Sequence, residues 1–184
     1  METLACVAPT APGAPTWITS TTSSISLSWL GSTDDGGCPI TEYRLFRDAG
    51  DGSGAASTEV HAADLSGNSV AVGQVVTELA PGDLGAEFVF LVWVVNDYTD
   101  HEISVPVQSS PSAPILFAGV PGTPASAPLR GASSGSFVIH VDIAAVSTTN
   151  GASITSYHIA IDDGAAGDFV ELQGESVDTL LLSG

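Results

Sequence analysis

The chain has 184 residues and a formal charge of −18, from 21 acidic side chains against three arginines, Arg44, Arg47 and Arg130, and no lysine. Nucleic acids and anionic lipid are bound through Lys and Arg that displace counterions, so this balance excludes nucleic-acid binding. With 43% hydrophobic and 13% charged residues the composition is that of a folding chain, long enough for one large domain or two small ones.

Met1 to Cys6 has neither a basic start nor an apolar stretch and does not read as a secretory signal, so for an exported protein the signal would lie elsewhere or have been removed. Ile25-Ser26-Leu27-Ser28-Trp29 alternates apolar and polar residues, as does Tyr43-Arg44-Leu45, which predicts half-buried strands. Turn formers cluster at Thr33–Pro39, Asp48–Gly54, Ala80–Gly85 and Asn96–Asp100. Phe88–Val95 is apolar on both faces, yet far shorter than the roughly 18–20 residues of a membrane helix, so no membrane insertion is expected. Pro111, Pro114, Pro121, Pro124 and Pro128 follow, and proline breaks strand ladders because it has no N–H to donate. No helical stripe occurs. Short strands between Gly- and Pro-rich turns predict an all-β sandwich or barrel.

An internal repeat organises the chain. Ile25, Leu27, Trp29, Gly37, Ile40, Thr41, Tyr43, Asp48 and Gly50 recur 114 positions later, ungapped, as Ile139, Val141, Ile143, Gly151, Ile154, Thr155, Tyr157, Asp162 and Gly164. A register kept across two strands and a loop means a duplicated supersecondary unit, hence tandem modules.

The same residues resemble the fibronectin type III family: Pro15, the strand Ile25 to Trp29, Ile40-Thr41-Glu42-Tyr43, the corner Leu79-Ala80-Pro81-Gly82, and Phe88, Phe90, Val92, Val94 and Asn96 in alternation. Asp34 to Thr41 resembles the B–C loop of tandem modules in large surface proteins of protists and some bacteria. The resemblance implies tandem immunoglobulin-like sandwiches, the second incomplete. Residues 1–10 would be a leading segment or the end of a preceding module, 11–110 a module, 111–124 a Pro-rich linker, and 125–184 a partial module lacking its F and G strands. The chain is expected to continue past Gly184. Where the family places a corner tyrosine this chain has Phe88, which can pack but not hydrogen-bond, so a looser corner is expected.

In that topology the residues leading into the first strand and the B–C loop share a pole, which would bring Cys6 and Cys38 within disulfide reach. Two other arrangements stay open: Cys38 buried and free, or Cys38 bonded to a preceding module with Cys6 pairing elsewhere. A persistent bridge would imply an oxidising compartment. The strand phase that turns Phe88, Phe90, Val92 and Val94 inward turns Val89, Leu91, Trp93 and Val95 outward. Phe46 joins them, and Arg44 is placed to stack on Trp93. This greasy face is expected to contact another module or chain, the alternative being that neighbouring side chains cover it.

No residues are expected to be catalytic, to ligate metal or to hold a cofactor. The acidic loops Asp34-Asp35, Asp48–Asp51, Asp97–Glu102 and Asp162-Asp163 with Asp168 fit no calcium-loop pattern and read as solvated surface. His61, His101, His140 and His158 lack metal-ligand spacing and read as exposed. Neither a nucleophile elbow nor a phosphate-binding glycine loop occurs. The leading expectation is a structural or adhesive module of an extracellular or cell-surface repeat protein, or part of a filament, with other modules or copies of itself as partners. Its Ser/Thr-rich surface suits O-linked glycans; there is no Asn-x-Ser/Thr sequon and no Arg-Gly-Asp. The alternatives are a spacer in a secreted multidomain enzyme and an intracellular scaffold of ciliary or muscle type.

Overall fold

The computed structural model describes residues 6–64, 71–76, 79–97, 107–165 and 167–171, which fall into two compact units, Met1–Val120 and Pro121–Gly184. In unit 1, β1 (Thr16–Ser20), β2 (Ile25–Leu30) and β5 (Ala71–Val76) form one antiparallel sheet in the order β1-β2-β5. The second sheet runs β4-β3-β7-β8, with β3 at Ile40–Arg47, β4 at Thr58–Asp64, β7 at Phe90–Asn96 and β8 at Val107–Gln108. A short pair, β6 (Glu87–Phe88) with β9 (Ile115–Leu116), closes one end. This is the all-β, immunoglobulin-like sandwich that the fibronectin type III resemblance implies.

Alternation builds the core. Ile25, Leu27 and Trp29 of β2 face Tyr43 and Leu45 of β3 and Phe90, Val92 and Val94 of β7, all buried, with Phe88, Ile115 and Phe117 filling the end. Each such side chain contributes about 1.5–3 kcal/mol through the apolar surface it removes from water.

Three expectations need correction. The apolar run is not one strand, because it breaks at Val89 between β6 and β7. There the Asp48 carboxylate accepts the Val89 N–H at 3.2 Å while the Asp48 N–H donates to the Val89 carbonyl at 3.1 Å, so a loop takes the bonds a ladder would use. The supposed linker at 111–124 begins inside unit 1: Ile115 and Phe117 belong to its core, and Ile115–Leu116 pairs with β6. Nor is the corner loose. A 3-10 turn at Pro81–Asp83 is tied by the Asp83 N–H to the Ala80 carbonyl and the Ala80 N–H to Asp83 Oδ2. Gly85 and Phe117 lock it further, since Gly85 donates to the Phe117 carbonyl and Phe117 to that of Ala86.

Two serines keep the edge of β7 bonded where prolines interrupt the chain. Ser109 Oγ accepts the Val92 N–H at 3.0 Å and Ser112 Oγ the Phe90 N–H at 2.9 Å, while the backbone N–H groups of the same serines donate to Val92 and Phe90 carbonyls. Both serines are buried, so each supplies side-chain acceptors that water cannot.

Unit 2 is also built of strands, in two-residue pieces: β10 (Leu129–Arg130) pairs with β11 (Val141–Asp142), and β12 (Ala160–Ile161) with β13 (Val170–Glu171). Its loops reproduce those of unit 1. Gly36 and Gly37 both have positive φ, and their counterparts Asn150 and Gly151 do too. The Gly50 N–H donates to Asp48 Oδ1 at 3.1 Å, and the Gly164 N–H to Asp162 Oδ1 at 3.1 Å. The Tyr43 hydroxyl accepts the Ser32 N–H at 2.7 Å, and that of Tyr157 accepts the Val146 N–H at 3.3 Å. All three correspondences keep the offset read from the sequence.

Candidate functional site

The candidate features are a pole of unit 1 around the two cysteines and the outer face of its four-stranded sheet. At the pole, Cys6 and Cys38 are joined in a disulfide with a Cα–Cα distance of 5.6 Å across a sequence separation of 32, so neither alternative pairing of these cysteines is present. The leading segment is held by more than the bridge. Val7 N–H donates to the Gly36 carbonyl at 2.9 Å, and Thr10 N–H to that of Asp34 at 2.9 Å. Asn96, buried at the end of β7, donates through Nδ2 to the Val7 carbonyl at 3.0 Å and the Asp35 carbonyl at 2.7 Å. Gly36 is required here: its φ is +72°, and a Cβ would run into the Val7 carbonyl oxygen. Residues 6–10 are therefore part of unit 1 rather than of a separate leader.

The outer face differs from the expected one. Phe46, Val89 and Val95 are buried, leaving only Leu91 and Trp93 half-buried. Arg44 lies opposite Trp93 in the register but does not stack on it. Its Nε sits 2.9 Å from Glu42 Oε1 and 3.1 Å from Glu59 Oε1, because two neighbouring carboxylates hold a guanidinium more strongly than a ring face does. Phe46 takes the stacking role, with its ring centroid 4.2 Å from that of Trp93. The one guanidinium over a ring among the described residues is Arg47, 4.9 Å above Phe88. The face is thus largely covered by its own side chains.

The acidic loops separate into two kinds. Asp34 and Asp35 are exposed and cap their own turns, accepting the N–H groups of Gly36 and Gly37 at 2.8 Å. Asp48, expected at the surface, is fully buried and accepts N–H groups from Gly50, Gly54 and Val89. Asp51 is exposed, and the Ser53 hydroxyl together with the Ser53 N–H holds its carboxyl below the usual range. Asp162 and Asp163 cap the corresponding turn of unit 2, and Asp168 is exposed. Asp97 is exposed, while Asp100 and Glu102 lie outside the described residues.

Among the described residues no three His, Cys, Asp or Glu side chains gather to hold a metal ion, and no helix is long and apolar enough to cross a membrane. His140 is exposed, and the exposed His158 ring pairs with Glu171 at 2.6 Å. His61 lies on β4 opposite Leu45, and His101 is outside the described residues. A shallow groove of about 590 Å³ opens beside Trp17, which is 56% exposed and donates its indole N–H to Ser20 Oγ at 2.7 Å. It is mostly apolar, lined by Pro114, Ile115, Leu116 and Val120 as well as Trp17.

Sequence reasoning missed Asp48, Asn96, Ser109 and Ser112, each buried and each bonding backbone groups of β7 or the loops beside it. The placement of Asp48 and Gly50 in the repeat was the one available signal, since a recurring Asp-x-Gly marks a turn that needs its carboxylate.

No family model matches the chain, and neither does any curated protein. Solved structures similar to it include the FN1–FN3 domains of chicken CNTN1, at 16% identity and a TM-score of 0.45, covering 92% of this chain and 53% of that one. The fourth FNIII domain of a human protein is 17% identical over 68% of this chain and 92% of its own, with a TM-score of 0.44. The twitchin kinase region from C. elegans is 19% identical over 60% of this chain, with a TM-score of 0.44. The chain spans only 17% of that twitchin region and 32% of a titin structure of domains A168–A170. Fibronectin type III domains are thus the neighbours of this chain among solved structures, and the fold assignment itself stands on the strand order β1-β2-β5 against β4-β3-β7-β8.

Proposed function

We propose that the chain is a pair of non-catalytic structural or adhesive modules in an extracellular or cell-surface repeat protein. One observation carries the reading: the buried polar side chains of unit 1, Asp48, Asn96, Ser109 and Ser112, are bonded to backbone groups and hold the scaffold together. The Cys6–Cys38 bridge supports the compartment, because such bonds persist where the surroundings are oxidising. Other modules or copies of the same protein are the partners in this reading. Leu91 and Trp93 are the part of the outer sheet face open to them, and O-linked glycans on the Ser/Thr-rich surface belong to the same proposal.

The test is an antibody raised against this chain and applied to intact, unpermeabilised source cells or their medium. An antibody is needed because a chain without lysine takes amine-reactive labels poorly. Surface or medium staining, with Cys6 and Cys38 recovered as one linked peptide pair from unreduced native material, is the expected result. Staining only after permeabilisation, with both thiols free, would instead favour the intracellular scaffold. A Trp93→Glu variant that assembles as the parent does would remove the contact face from the proposal.

A further inference from the structure

The side of unit 1 along β1 presents an aromatic ring that strand phase alone would bury. In the β1–β2 ladder Trp17 stands opposite Leu27, a core residue that is 0% exposed, so its side chain leaves the sheet on the inner face. Among the described residues β1 is bonded to β2 alone, and at this edge the ring borders the 114–120 segment and is 56% exposed. After a register shift between Trp17 and Thr19, Ser20 Oγ accepts the indole N–H at 2.7 Å. What the ring still offers a ligand is its apolar surface.

The groove of about 590 Å³ beside Trp17 lies within the roughly 300–1,000 Å³ of small-molecule sites. Close packing sets its wall: a Cβ at Gly119 would come within 2.7 Å of Thr22 Cγ2 and 3.0 Å of the Thr22 backbone nitrogen. The turn that carries Thr22 is itself held, because the Thr21 hydroxyl accepts the Ser23 and Ser24 N–H groups. Ile115 and Leu116, paired with β6, supply apolar surface. On the β1 side stand the hydroxyls of Thr19 and Ser20, and Ser20, which accepts the indole N–H, keeps its own proton to donate. No charged side chain is among the described residues that line the groove, in a chain that carries −18.

We infer that this groove binds a neutral oligosaccharide, one ring of which lays its C–H face on Trp17 while its hydroxyls meet Thr19 and Ser20. A sugar ring is apolar on its faces and hydroxylated round its rim, the same division of surface that the groove presents. Other occupants fit less well. A cation also favours a ring face, but no carboxylate is among the described lining residues to hold it. A proline-rich peptide docks on grooves lined by aromatic rings, whereas Trp17 is the one aromatic among the described lining residues, and its N–H is already bonded to Ser20. An acidic glycan and a second copy would each bring negative charge to a chain at −18. The inference goes beyond the structural-module reading and does not rest on it, since it concerns unit 1 alone and holds for either compartment.

The probes are cellotriose, maltotriose and mannotriose, with trigalacturonic acid as the acidic counterpart, each added to the whole 184-residue chain. Titration runs to about 10 mM, which reaches millimolar dissociation constants. Saturation-transfer NMR reports contact with the sugar, and acrylamide quenching of fluorescence reports cover over Trp17, because Trp29 is buried and Trp93 half-buried. At least one neutral trisaccharide should bind and reduce quenching. Trp17→Ala, at an exposed edge position, should weaken that binding by about tenfold or more and leave the thermal melt in place, while Trp17→Phe retains part of it. Failure of all three neutral sugars to bind would overturn the inference, as would binding unchanged in Trp17→Ala or equal binding of the acidic sugar. Cover of Trp17 by tetramethylammonium or by an oligoproline where the sugars give none would assign the groove to those ligands instead. A parent chain that sediments as a dimer, with Trp17→Ala a monomer, would assign it to a second copy.

Discussion

Units 1 and 2 carry the same turn chemistry, the same tyrosine bond to the loop and the same positive-φ pair, yet among the described residues only those of unit 1 enclose a core. The difference lies in what stands opposite the shared strands. In unit 1, β7 lies beside β3 in one sheet, its Phe90, Val92 and Val94 share one core with Trp29, Tyr43, Leu45, Ile115 and Phe117, and a disulfide with its surrounding bonds fastens one pole. In unit 2 the described strands are two residues long and Leu129, Ile139, Ile161 and Val170 face solvent. The positions of Cys6 and Cys38 fall on Val120 and Ala152, so the second copy lacks the bridge too. The turns of unit 2 match those of unit 1 because each is closed by residues only a few positions apart.

The comparison can be tested position by position. Phe90→Ala opens a cavity in the centre of unit 1 and should cost about 3–5 kcal/mol in a denaturant titration, whereas Ile159→Ala, at a half-exposed site, should cost less than about 1. Equal costs would mean that unit 2 is as well packed as unit 1. Cys38→Ala removes a cross-link spanning 32 positions and should lower the stability of unit 1 by about 2–4 kcal/mol. Exchange at the Val7 and Thr10 amides then shows how far Asn96 and the loop carbonyls hold the leading segment unaided. Asp48→Ala leaves one buried and two part-buried N–H groups without their acceptor and should cost about 1–3 kcal/mol, while Asp162→Ala should cost a few tenths, both read from thermal melts.

Tyr43→Phe deletes the acceptor for Ser32 N–H and should cost about 1 kcal/mol, against less for Tyr157→Phe, whose bond is longer and whose side chain is only half-buried where Tyr43 is buried. The smallest effect is on pH. Burial raises the Tyr43 phenol against the opposing Ser32 hydrogen bond, so its folded pKa lies above that of the unfolded chain, about 10. The neutral form is favoured on folding. The resulting stability is full below about pH 10 and is lost as pH climbs through the folded value. Tyr43→Phe should flatten that alkaline slope.

Much of the fold was legible because its signals are local. Alternation at Ile25–Trp29 locates β2, the turn clusters locate the loops, and the repeat locates the second unit. The candidate face was read less well, since strand phase tells which way a side chain points but not what lies over it. Phase alone placed Arg44 beside Trp93, and the register agrees; only the positions of Glu42, Glu59 and Phe46 together show that the guanidinium turns to carboxylates and the ring to another ring.

Sequence by itself determined the strand-and-turn grammar, the duplication and the strongly acidic surface, because each follows from residue type at short spacing. Tertiary structure alone decided that Asp48 is interior, that two serines carry the ladder past the prolines, and that residues 115–117 belong to the first core. Those outcomes depend on which backbone groups meet across distant segments. Water is absent where they meet, and a buried N–H then bonds whichever oxygen the fold has brought within reach.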